Sequence, residues 1–164
     1  MKTLIIIRHA KAEQGSGKDI ERKLTERGHR NAIQMAEKLK AGGYKIDKIF
    51  SSPSERTLQT TRHFAEVFGV MANHIRYFES LYLGDVLAIS ETICWLYQHE
   101  NVHTLAIVGH NPGVTNFVND LTHSTINSIP TSGIAVLRID TDHWDHFATA
   151  PKSLEAVLSP KDEN

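Results

Sequence analysis

The sequence predicts an α/β fold: a single-domain three-layer sandwich with a mainly parallel sheet, helices on both faces, and an antiparallel C-terminal hairpin strand at one edge. Three observations predict it. Short apolar runs rich in β-branched residues alternate with segments whose apolar residues recur at helical spacing. Several of those runs stop abruptly at a cation or an imidazole, as Leu4-Ile5-Ile6-Ile7-Arg8-His9 does. The last two apolar segments flank Asp140-Thr141-Asp142-His143, which has the composition of a turn. Repeated strand–helix units bury a parallel sheet on both sides.

The elements follow in order. A first strand spans Thr3 to Arg8, and a polar loop runs from Ala10 to Lys23. Thr25 caps a helix with Ala32, Met35, Ala36 and Leu39 on one face, and Gly42-Gly43 stops it. A short strand lies near Lys48 to Ser51. In Ser52-Pro53-Ser54-Glu55, Ser52 suits an N-cap, Pro53 the first helical position and Glu55 a capping box. The inner stripe of that helix reads Leu58, Thr61, Ala65 and Phe68, and Gly69 ends it. A strand near Ile75 to Phe78 precedes a helix capped by Asp85 and carrying Ile89, Ile93 and Leu96. Thr104 to Val108 reads as the clearest buried strand. Asn111 then caps a helix with Pro112 first and Val114, Phe117, Val118 and Leu121 facing inward. Ile134 to Ile139 and Trp144 to Thr149 read as the closing hairpin, with a tail that is polar after Pro151 and frayed beyond Pro160.

Bulk properties narrow the function. A chain of 164 residues is long enough for one domain, here 1–164, with a substantial core. A net charge of −1 gives no basic excess for nucleic acid and no acidic tail. The single cysteine, Cys94, cannot form an internal disulfide, which suits a cytoplasmic protein. The first apolar run is too short to span a membrane and lacks a signal-peptide cleavage pattern. Most of the ten histidines are scattered without ligand-like spacing, so no metal site is expected.

Three segments carry chemistry. In an open α/β sheet, ligands bind beyond the carboxyl ends of the strands. His9 follows the first strand, His110 follows the Thr104–Val108 strand, and Arg56 lies in the first turn after the second strand, so all three point to one edge. Arg8 and Arg56 can offer forked donors to phosphate oxygens, and helix N-termini add unpaired N–H groups. A neutral imidazole is a competent nucleophile. Taken singly, each motif has a plainer reading: a polar strand end, a helix start, or a turn and cap. Their convergence on one edge favours a phosphoryl site. Spacing alone does not tell which of His9 and His110 is the nucleophile.

The set Arg8-His9-Ala10, Leu24-Thr25-x-x-Gly28, Ser52-Pro53-x-x-Arg56-x-x-Gln59-Thr60, Gly109-His110 and Thr131-Ser132-Gly133 resembles the histidine phosphatase superfamily of phosphoglycerate mutases and acid phosphatases. The small size and the Arg-His-Ala-Lys start resemble its SixA-like phosphohistidine phosphatases. Ala10 stands where many members have glycine. The resemblance implies a phosphoglycerate mutase-like fold and a covalent mechanism without cofactor or metal. His9 would be the nucleophile, with Arg8, Arg56 and a cationic His110 binding the phosphate. Glu79, after the third strand, is the candidate general acid, and Asp19 a lesser one.

The connections 72–85 and 122–131 are short, so the site should lack a lid and stay open. An open site suits phosphohistidine on a partner protein, and also slow hydrolysis of small phosphate esters. A mutase needs a closed site that keeps water from the phosphoenzyme. A non-catalytic phosphate-binding module is the reading from another class, against which the intact Arg8, His9, Arg56 and His110 argue.

Overall fold

The computed structural model describes residues 1–161. Among them, β1 (Lys2–Arg8), β2 (Lys48–Ser51), β3 (Ile75–Tyr77), β4 (Thr104–Gly109), β5 (Ile134–Ile139) and β6 (Lys152–Leu158) form one sheet. The order across it is β3-β2-β4-β1-β5-β6. β1 runs parallel to β4, β4 to β2, and β2 to β3. β5 runs antiparallel to β1, and β6 antiparallel to β5. The antiparallel edge expected from the sequence is therefore present.

Strand alternation sorts the core into two layers. Ile5 and Ile7 of β1, with Ile49, Ala106 and Val108, face α1 (Glu26–Ala41) and α2 (Glu55–Phe68) through Met35, Leu39 and Phe64. Leu4 and Ile6, with Phe50, Leu105 and Ile107, face α3 (Val86–Thr92) and α4 (Gly113–Thr122) through Ile89, Val114 and Phe117. Each such fully buried side chain contributes about 1.5–3 kcal/mol of transfer free energy. β1 and β4 are apolar on both faces because helices cover both.

Local signals place most element ends. The Thr25 Oγ1 accepts from Gly28 N at 2.9 Å and starts α1. Gly28 has a second role: a Cβ there would lie 2.1 Å from the Lys11 carbonyl oxygen, so only glycine lets the first loop rest on α1.

Four expectations are corrected. The N-cap of α2 is Ser54, which accepts from Thr57 N, and Ser52 is engaged elsewhere. The buried face of α2 is Arg56, Thr57, Thr60, Thr61, Phe64 and Ala65, leaving Leu58 and Phe68 half-buried. α4 begins at Gly113, after a cis Asn111–Pro112 bond, with Pro112 in the cap position; Leu121 is only partly buried. The partner strand of the hairpin is Lys152–Leu158, whereas Trp144–His146 forms a 3-10 turn. Trp144 buries its ring and donates Nε1–H to Val102 O at 2.7 Å, which removes it from any strand. The chain after Pro151 is thus ordered as β6; the part of the expected frayed end at 162–164 lies outside the described residues.

Candidate active site

β2, β4 and β1 are parallel neighbours, so their carboxyl ends emerge side by side. The ladder continues one residue further: His9 N donates to Gly109 O and Ser52 N to Val108 O, both at 3.1 Å. This brings together residues distant in sequence. The rings of His9 and His110 lie 5.3 Å apart between centroids. Arg8, His9, Arg56 and His110 all line one cavity of about 440 Å³.

The first loop is fastened to α2 by the residues that spell its motif. Ala10 N donates to Thr60 Oγ1 at 3.0 Å, and Leu24 N donates to Gln59 Oε1 at 2.8 Å. Ala10 is fully buried and keeps a negative φ, so alanine fits this position without strain.

Hydrogen bonds fix both imidazole tautomers. His9 Nδ1 lies 2.7 Å from Ala10 O, which can only accept, so Nδ1 carries the proton and Nε2 a lone pair. Arg56 Nη2, which can only donate, lies 3.3 Å from His110 Nδ1, and His110 Nε2 lies 2.8 Å from Ser52 Oγ. His110 therefore accepts at Nδ1 and donates from Nε2, as a neutral ring. Burial lowers the His9 pKa to about 4, aided by the charges of Arg56, Arg8 and Arg22. Burial lowers that of His110 to about 3, aided by His9, Arg56 and Arg8. Both rings are thus neutral in this structure, whereas the cationic His110 that the resemblance implies is one engaged with phosphate.

Those depressed values carry a stability consequence. In the unfolded chain both rings titrate near 6.5. Below that pH the unfolded chain takes up protons that the folded chain refuses. Stability is full above pH 6.5 and is lost as pH falls towards 4. One ring held at about 4 accounts for a loss of about 3 kcal/mol by that pH. Thermal unfolding from pH 7 to 4 should show this loss, and His9→Gln should flatten it. An unchanged slope in that variant would assign the acid sensitivity elsewhere.

The arginines are less exposed than their positions in the chain suggest. The first turn of a helix is ordinarily exposed, but Arg56 in the first turn of α2 is 2% exposed. Its Nη1 donates to Asp19 O at 2.8 Å and its Nη2 to Asp19 Oδ2 at 3.0 Å. Arg8 Nη1 donates to Ile129 O at 2.9 Å. The Nε atoms of both arginines are buried without a hydrogen-bond partner. A buried unpaired N–H costs about 1–3 kcal/mol.

Asp19 ties the wall together. Its carboxylate accepts from Tyr82 Oη, from Arg22 Nη1 at 3.0 Å and from Arg56 Nη2. These donors, Tyr82 foremost, hold the carboxyl well below the ordinary carboxylate range. The structure does not bring Glu79 to this group: it is an exposed residue at the start of the Glu79–Leu81 3-10 turn and is absent from the cavity lining. Sequence reasoning gave no site role to Arg22 or Tyr82 and read Ser52 only as a motif residue and helix cap. The spacing of Arg22 just ahead of Leu24-Thr25 could have flagged it. Among the described residues, no group of three or more His, Cys, Asp or Glu could hold a metal ion, and no helix is long and apolar enough to cross a membrane.

A parallel sheet edge presents two histidines and two arginines around one cavity, groups suited to holding a phosphoryl group. The profile of the histidine phosphatase superfamily (branch 1) matches residues 4–93, and the chain belongs to that superfamily. Within it, the protein is similar to the protein histidine phosphatase SixA, solved with tungstate: TM-score 0.82, 25% identity, covering 96% of this chain and 97% of that one. An uncharacterized protein of Mycobacterium leprae is 30% identical over 94% of this chain and 100% of its own length. A 2,3-bisphosphoglycerate-dependent phosphoglycerate mutase of Bartonella tribocorum is 36% identical, but over only 42% of this chain and 35% of its own. A mycobacterial glucosyl-3-phosphoglycerate phosphatase shares the fold at TM-score 0.72 and 14% identity, covering 94% of this chain and 97% of its own.

Proposed function

We propose that the protein is a phosphatase that works through a phosphohistidine on His9, and that its substrate is phosphohistidine on another protein. Nδ1 of His9 is held by Ala10 O, so Nε2 attacks phosphorus. The bond from phosphorus to the substrate nitrogen breaks, and the substrate imidazole leaves with a proton from water on its far nitrogen. Water then attacks the phosphorus carried by His9, releasing phosphate and restoring the neutral ring. Arg8 and Arg56 neutralise the phosphoryl oxygens. The dianion also offsets the burial that depresses His110, whose Nδ1 then takes up a proton, and the N–H groups of His110 and Arg56 give up their mutual contact to donate to the phosphoryl oxygens.

One observation carries the substrate assignment. Asp19 is the one carboxylate among the cavity-lining residues, and its donors hold it as an anion. It cannot protonate a departing alkoxide, whereas an imidazole does not need it to. Similarity to SixA supports the same reading. The mutase reading is disfavoured by a match confined to less than half of the chain.

The test is steady-state turnover of a phosphohistidine peptide beside a phosphoserine peptide. The phosphoramidate is expected to win by about 100-fold in kcat/KM, the scale of a missing general acid. Glu79→Gln should alter neither rate by more than about twofold, since the side chain lies off the cavity. Excess chelator should leave both unchanged. A phosphoserine peptide turned over as fast would remove the phosphohistidine assignment, and a selective loss of ester hydrolysis in Glu79→Gln would restore Glu79 as the acid.

A further inference from the structure

The cavity carries more positive charge than one phosphoryl group uses. Arg8, Lys11, Arg22 and Arg56 line it, against the single carboxylate of Asp19. A phosphoryl group brings a charge of about −1.5 to −2. After Asp19 and the phosphoryl group are counted, about one cation is left over. A phosphoryl group also fills only a minor part of about 440 Å³.

Position identifies the surplus. Arg8, next to His9 in the chain, and Arg56, bonded to His110, serve the phosphoryl group under the proposed function. Arg22 spends Nε on Glu13 O at 2.6 Å and Nη1 on Asp19, which leaves other N–H donors free. The Lys11 ammonium has no ion-pair partner among the described residues, and its side chain is exposed at the cavity mouth. Yet its backbone is fixed: Lys11 O accepts from Thr25 N at 2.9 Å and lies against Gly28. The side chain thus rises from a clamped backbone two residues beyond His9. Two residues span at most about 7 Å.

We propose that Lys11, with the free donors of Arg22, binds a second anionic group on the same substrate molecule, a carboxylate or phosphate close to the transferred phosphoryl group. This rests on the phosphatase reading of the same site. Two sources share that chemistry: an acidic side chain next to phosphohistidine in a protein, and the far end of a small phosphorylated acid.

Kinetics on wild type and Lys11→Ala separate them. The probes are phosphoramidate, phosphohistidine peptides with Glu or Gln beside the modified residue, and phosphoglycolate beside ethyl phosphate. For wild type at low salt, an acidic probe should exceed its neutral twin by about tenfold in kcat/KM. Lys11→Ala should erase that gap, Lys11→Arg should keep it, and phosphoramidate, which has no second anion, should change by less than about twofold. A gap for the peptides alone places the anion on a protein, and a gap for phosphoglycolate alone places it on a small molecule. No gap in either pair, or an equal loss on every probe in Lys11→Ala, overturns the proposal. If no probe is turned over, the phosphatase reading fails; calorimetric binding of the paired peptides then decides Lys11 separately, and equal affinities overturn its role.

Discussion

His9→Ala is expected to abolish turnover, with kcat/KM falling by at least about 10⁴-fold. The other lining imidazole, His110, has no free lone pair to offer. His110 Nδ1 accepts from Arg56, and its Nε2–H faces Ser52. The variant should still fold. It leaves the Ala10 carbonyl without its side-chain donor, at a cost of about 1–3 kcal/mol. It should also still bind tungstate or phosphate through Arg8, Arg56 and His110. Intact mass after mixing with phosphoramidate and quenching in alkali reads the outcome directly. A phosphoryl adduct on wild type that is absent from His9→Ala places the intermediate. An adduct of equal size on the variant, or activity near that of wild type, takes the nucleophile away from His9.

Arg56→Ala is expected to damage rate and fold together. The rate loss should be about 10²–10³-fold, as for other preorganised donors to a transition-state charge. The stability loss should be about 1–3 kcal/mol, because the side chain is 2% exposed and bonds Asp19 twice and His110 once. An exposed helix start, which is what the sequence alone suggests, would have left the fold intact. Arg56→Lys restores the charge but not the fork, so the rate should stay at least about tenfold down. Calorimetric melting beside kinetics checks both halves. A variant that melts like wild type would show that the Asp19 contacts contribute nothing to the fold, and one that turns over like wild type would remove Arg56 from the site.

What could be read from the residues was what strand order and helix spacing dictate. Apolar runs on β1 and β4 are legible because helices cover both faces, and Thr25 is legible because its hydroxyl has one local use. The convergence of His9, Arg56 and His110 follows from parallel strands alone. The misreadings have a common cause: a residue suited to a local role was taken by a distant partner. Ser52 is a fair cap by sequence, but His110 Nε2 claims its hydroxyl and Ser54 caps in its place. Trp144 looks like a strand residue, but it fills space beneath Lys2 and Val102. The true edge strand alternates in Leu154, Ala156 and Leu158, a period-two signal hidden by its polar partners. The Tyr82–Asp19–Arg56 link joins segments more than 30 residues apart and has no sequence signature.

That link has a consequence at the other end of the catalytic cycle. Asp19 already holds Arg56 against His110, and β1, β2 and β4 already set the two imidazoles side by side, tilted at 57°. The pocket is assembled in advance and needs little rearrangement to receive a phosphoryl group. A cradle with that property has equally little reason to let go of orthophosphate. Under the proposed function the geometry that shortens the chemical step does nothing for product release. Free phosphate therefore competes on favourable terms, and His110, neutral without a bound anion, is the one element of the cradle whose grip relaxes when its proton leaves.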